Sequence, residues 1–115
     1  MTDLIYKIED TDAWAKAQAS GIYLGAPIDA LDGFIHFSAP DQVRATAAKH
    51  FVGRPNLLLI AIDAAALGQA LKWEPSRGGA LFPHLYAPLK LRDVRSAVPL
   101  PLGANGQHVF PEDIP

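Results

Sequence analysis

The chain has 115 residues, half of them hydrophobic and 19% charged, with a formal net charge of −2 and no cysteine. That length and balance predict one globular domain over residues 1–115 with a core of its own, and the mild acidity leaves no electrostatic footprint for nucleic acid. The lack of cysteine removes disulfides, thiol catalysis, iron–sulfur clusters and thiolate zinc sites, and fits a reducing cytoplasm.

Asp3, Glu9, Asp10 and Asp12 interrupt the first twenty residues, so no signal peptide is expected. Leu4-Ile5-Tyr6-Lys7-Ile8 predicts a first strand. A helix follows, capped by Asp10 or Thr11, with Ala13, Trp14 and Ala17 on one face and Gly21 as its stop. Residues 21–31 contain two glycines, Pro27 and Tyr23 and read as an irregular loop, a candidate pocket wall.

Asp32-Gly33-Phe34-Ile35-His36-Phe37-Ser38 reads as a strand that runs straight into a helix. Alternation puts Phe34, His36 and Ser38 on one face, with Ile35 and Phe37 facing a core on the other. An imidazole and a hydroxyl then stand side by side where helix N–H groups become available, a junction suited to an anion or polar ligand. Two structural uses stay open: Ser38 with Asp41 matches a capping pattern, and His36 can be a hydrogen-bonded structural histidine.

From Pro40 a second helix carries Val43, Ala47 and Phe51 as a core stripe, with Arg44 and Lys49 in solvent and His50 in the last turn, where a cation suits the helix dipole. Gly53-Arg54-Pro55-Asn56 turns the chain. Residues 57–62 are apolar on both faces, which predicts the most buried strand and is too short a run to span a bilayer. Asp63 caps a short helical turn ended by Gly68, and residues 71–74 form a further strand. Residues 75–83 read as a mobile loop. Beyond it His84 and Tyr86 share one face of an extended stretch, with Leu85 on the other. Val94, Ser96 and Val98 mark the last clear strand before a Pro- and Gly-rich tail over 99–115, in which 107–110 suit an edge strand.

Two main helices, both early, and a majority of strands predict an α+β fold around a mixed, largely antiparallel sheet. No glycine-rich strand-to-helix turn is present, which argues against a Rossmann fold or a phosphate-loop NTPase. His36 and His84 each have a hydroxyl two residues on, Ser38 and Tyr86, while Glu74 and Arg77 bracket the start of the glycine-containing loop. Brought together, these groups suit a nucleotide or sugar phosphate, with arginine on phosphate and an aromatic ring on the base. A metal is the competing use of two histidines and a carboxylate, but His-x-x-x-His and His-Glu-x-x-His spacings are missing and no metal is expected. Ser38 lacks the elbow of a hydrolase nucleophile. For Trp73, Tyr6, Tyr23 and Tyr86 core packing is the default.

Tyr6-Lys7-Ile8, Trp14, Gly21-x-Tyr23, the 32–38 motif, Gln42-Val43, Trp73-Glu74 and Phe82-Pro83-His84-Leu85-Tyr86 resemble the signature of an uncharacterised bacterial family of small single-domain proteins. The likeness runs to about the Val94–Val98 strand and brings no established activity. More remotely, the order of a His-hydrophobic-Ser strand, a helix, Gly-Arg, a Leu-rich strand ending in Ile-Asp and a later glycine loop is similar to the C-terminal half of RNA 2′-phosphotransferases. Those enzymes have the ADP-ribosyltransferase-like fold, which binds NAD in a cleft between two sheets.

This second resemblance implies a cleft lined by His36, Ser38, Glu74, His84 and Tyr86 that takes NAD or a related nucleotide, for ADP-ribosyl transfer or N-glycosidic cleavage. It implies His36 at the ribose, Arg54 or Arg77 at phosphate, Glu74 against the developing positive charge, and Tyr23 or Tyr86 stacked on nicotinamide. The phosphotransferases' N-terminal half, with its Arg-His pair, has no counterpart, and their Arg-His-Gly element appears only as Gly53-Arg54-Pro55. The alternative is a non-catalytic module for a small ligand or a protein partner, with His36 and His84 structural.

Overall fold

The computed structural model describes residues 3–112 and 114, the Arg77 side chain excepted. Strand β1 (Leu4–Asp10) passes straight into helix α1 (Thr11–Ser20), whose buried residues are Trp14 and Ala17. Gly21 closes the helix at φ 83°, a left-handed conformation that glycine adopts without strain, and donates its N–H to the Ala17 carbonyl. Asp10 precedes the helix without capping it; its carboxylate pairs instead with Arg54 at 2.9 Å.

Residues 21–31 are not the irregular loop that their composition suggests. They contain strand β2 (Ile22–Tyr23) and the start of helix α2 (Pro27–Asp32). Pro27 opens α2 because its fixed φ suits a first turn, where its missing N–H costs nothing. The Asp29 carboxylate reaches back to accept the Ala26 N–H at 2.7 Å, securing that turn. Six residues are too few to display a helical period, so the pattern gave no sign of it.

Gly33 ends α2, which shortens the strand expected over 32–38 to β3 (Ile35–His36), prolonged by a bridge between Ser38 and Tyr6. Helix α3 (Val43–His50) begins three residues after Pro40. The Ser38–Asp41 cap is not formed: Gln42 Oε1 accepts the Ala39 N–H, and Ser38 Oγ shares a hydrogen bond of 2.8 Å with Thr46 Oγ1. Strand β4 (Leu57–Asp63) follows, and Asp63 accepts the Ala65 N–H to start a 3₁₀ turn over Ala64–Ala70.

Residues 75–83 are likewise not a long loop. Strand β5 (Leu71–Pro75) turns at Arg77–Gly79 into β6 (Leu81–Leu85), which returns antiparallel beside it. Pro83 is accommodated in β6 because it lies beyond the two-residue ladder with β3 and contributes only its carbonyl, to the Phe37 N–H. Strands β7 (Leu89–Lys90) and β8 (Val94–Pro99) complete the order. In the tail, His108 makes one bridge to Leu102 rather than an edge strand.

Every ladder among the described residues is antiparallel: β1-β4-β8, β2-β7 and β3-β6-β5. The fold is therefore α+β, with α2 added to the two helices that the sequence announces. β4 has both faces buried, as its unbroken apolar run requires. Ile60 and Ile62 join Trp14, Tyr23, Ile35, Phe37 and Leu85 in a core shared by all three sheets, while Leu57, Leu59 and Ala61 pack with Val43, Ala47, Leu100 and Ile114 on the other face. No helix among the described residues is long and apolar enough to cross a membrane.

Candidate functional site

A cleft of about 620 Å³ opens where β1, β3, β6, α3 and the start of α2 meet. That size lies in the range of small-molecule sites. Its polar lining includes Lys7 and Glu9 from β1, His36 and Ser38 from the β3 stretch, Thr46, Lys49 and His50 from α3, and Arg54 and His84.

Behind this lining sits a buried carboxylate. Asp29 is 2% exposed, and its Oδ2 accepts from Lys7 Nζ at 2.8 Å and from the Ala26 N–H at 2.7 Å. Its Oδ1 meets His36 Nδ1 at 2.6 Å and the His36 N–H at 3.2 Å. Burial pushes the carboxyl up, but the His36 hydrogen bond and the Lys7 ammonium outweigh it and hold the group at about 2. His36 is engaged on its other side as well, with Nε2 3.0 Å from Asp32 Oδ2. One helical turn thus aims two side chains of the cleft.

The second imidazole is held differently. His84 Nδ1 lies 2.9 Å from Glu74 Oε1, and the same oxygen accepts the Tyr86 hydroxyl at 2.6 Å. These bonds, the tyrosine's first, keep the Glu74 carboxyl below its usual range against a smaller desolvation, and bonding to Glu74 pushes the Tyr86 phenol up. Phe34 stacks on His84 with ring centroids 4.1 Å apart, and the two imidazoles stand 5.4 Å apart, edge to face.

Of the residues expected at the site, His36, Ser38, Arg54 and His84 line one cleft. Glu74 and Tyr86 are outside that lining and touch it through His84. Tyr23 has no face left for a ligand: it is 3% exposed, lies edge-on to Trp14 at 5.4 Å and donates its hydroxyl to Glu9 at 2.6 Å. Burial first, then that bond, drive its phenol far above the ordinary range. The expectation for the Arg77 side chain lies outside the described residues.

Asp29, Lys7, Glu9, Lys49 and His50 escaped the sequence reading. A signal for two of them was available, because alternation puts Lys7 and Glu9 on the same strand face as Ile5, which is buried. Charges on a core-facing row require partners, and so mark a site. Lys49 is exposed, as its place off α3's apolar stripe predicts, but that stripe says nothing about the cleft its flank adjoins. Among the described residues, no group of three or more His, Asp or Glu side chains is arranged to hold a metal ion.

The class that the fold defines is an antiparallel α+β protein, here with a cleft lined by two histidines from paired strands. The chain belongs to the family described as "Protein of unknown function (DUF952)", which matches residues 8–97. It is similar to protein CC0527 from Caulobacter crescentus, whose crystal structure superposes with a TM-score of 0.89 at 50% identity over 92% of this chain and 93% of that one. A double mutant of CC0527 gives 0.88 at 49% identity with the same coverage, and its solution structure 0.83 at 51% over 90% of each chain. No curated protein matches the chain.

Proposed function

We propose that the cleft binds a nucleotide-type anion, NAD or a relative built on an adenosine phosphate, and that a cytoplasmic setting goes with it. The observation that carries this reading is the convergence of Lys7, Lys49, Arg54, His36, His50 and His84 on one cavity, against Glu9 and Asp10 in its lining and Asp29 behind it, in a chain whose net charge is negative. A phosphate is the ligand group such a wall attracts most strongly. In this reading Lys49 and Arg54, both exposed, take the phosphate at the rim. Asp29 holds Lys7 and His36 in place as parts of the cleft wall, and Ser38 and Thr46 offer hydroxyls deeper in.

The ADP-ribosyltransferase-like likeness supports the same ligand, since that fold also uses a cleft between sheets. ADP-ribosyl transfer or N-glycosidic cleavage needs a carboxylate facing the sugar as positive charge develops. We assign that part to Glu9, which lines the cleft, rather than to Glu74, which stands behind His84. Both Glu9 oxygens are already bonded, one to the Tyr23 hydroxyl and one to the Asp10 N–H. That favours a second reading, in which the cleft holds a nucleotide without turning it over.

An NMR titration with NAD, ADP-ribose and AMP tests the proposal. Saturable shifts at the amides of His36, Lys49, Arg54 and His84 are expected, and flat spectra at millimolar ligand would overturn it. Nicotinamide released from bound NAD selects the transferase, whereas tight binding without release selects the binding module.

A further inference from the structure

Imidazole chemistry is limited by which ring nitrogens remain available. His36 has neither: Nδ1 is on Asp29 at 2.6 Å and Nε2 on Asp32 at 3.0 Å. His84 is 4% exposed, lines the cleft, and has Nδ1 on Glu74 at 2.9 Å. Its Nε2 has no hydrogen-bond partner among the described residues, yet it is not sealed away as the Trp14 indole nitrogen is. Glu74 is ionised at neutral pH, because the Tyr86 and His84 bonds hold its carboxyl below the ordinary range. An ionised carboxylate only accepts, so the proton of the pair resides on His84 Nδ1. In the neutral ring Nε2 is then a lone pair, and the Phe34 stack fixes the plane in which it points.

We propose that His84 is the hydroxyl acceptor of the cleft, with Nε2 taking a hydrogen bond from a ribose hydroxyl of the ligand and Glu74 acting as its positioning residue. The proposal rests on the nucleotide reading and narrows it to ribonucleotides. The order of groups along a nucleotide fits the cleft. Phosphate goes to Lys49 and Arg54 at the exposed rim, which leaves the sugar next to the interior wall where His84 is buried. A ligand without the hydroxyls leaves a buried acceptor unsatisfied, and this penalty gives discrimination.

Two measurements test it. Long-range ¹H–¹⁵N spectra of the ligand-free protein at neutral pH should show His84 with a protonated Nδ1 and an unprotonated Nε2; a proton on Nε2 would overturn the proposal. Calorimetry then compares AMP with 2′,3′-dideoxy-AMP. The wild-type protein should prefer AMP by about tenfold, one hydrogen bond's worth. His84→Phe, which keeps an aromatic ring against Phe34, should bind both alike. Should that variant not fold, Glu74→Gln, at a half-buried position, is expected to populate the other tautomer and to weaken the preference for AMP. Undiminished preference in a folded variant would sink the role of His84 alone. No binding of AMP by the wild-type protein would remove the nucleotide reading and this one together.

Discussion

A carboxylate that is 2% exposed survives in a protein only where donors replace its water, and Asp29 has a side-chain ammonium, an imidazole and two backbone N–H groups. Asp29→Asn preserves the shape but leaves the Lys7 ammonium buried without a counter-charge. The expected cost is about 3 kcal/mol, read as a lower urea midpoint at neutral pH. The pH dependence has a definite sign. A carboxyl held below its ordinary value contributes stability above about pH 4 and loses it as pH falls towards about 2. The gap between wild-type and variant midpoints should therefore close across that window. A gap that stayed constant down to its lower end would mean that the loss arises from packing and not from the charge.

Among the elements, α2 decides whether Asp29 reaches its partners, and the two glycines beside it differ in kind. Gly33 ends the helix at φ 87° with open space where a Cβ would be. Gly25 has φ 102°, and a Cβ there would lie 2.7 Å from Asp29 Cβ and 2.8 Å from Oδ2. Gly33→Ala should cost about 1 kcal/mol, the strain of the left-handed conformation alone. Gly25→Ala adds a clash with the hub carboxylate and should cost about 3 kcal/mol. Thermal melts would rank them, and equal shifts would refute the tight seat assigned to Asp29. The elements legible in the sequence were those whose pattern is local: β1, α1 with its glycine stop, β4 with two apolar faces, and the capped turn after Asp63. α2 and the β5–β6 turn were not, because proline and glycine announce a break in regular structure without saying whether one turn of helix or a hairpin fills it.

For the molecule as a whole, the sequence carried faces but not neighbours. His36 and His84 were each placed on the correct side of an extended stretch, yet nothing in the chain said that His36 would pair directly with His84. Nor did it say that Tyr6 and Ser38 would exchange backbone hydrogen bonds of 2.8 and 2.9 Å, bringing β1 beside the β3 stretch to form the cleft. These contacts are non-local and belong to topology, which also sets how the structure opens. β4 lies between β1 and β8, with Ile60 and Ile62 fully buried, whereas β5 is an edge strand with Lys72 and Trp73 exposed. Native-state hydrogen exchange should accordingly find the β4 amides slowest, exchanging only through global unfolding, with β5 opening locally and faster. The two-residue ladder of β3 is held to α2 chiefly through Asp29, so Asp29→Asn should accelerate exchange at Ile35 and His36 well beyond any change at Leu71 or Trp73. Uniform acceleration across all strands would show instead that Asp29 serves only global stability, and that the cleft wall does not depend on it locally.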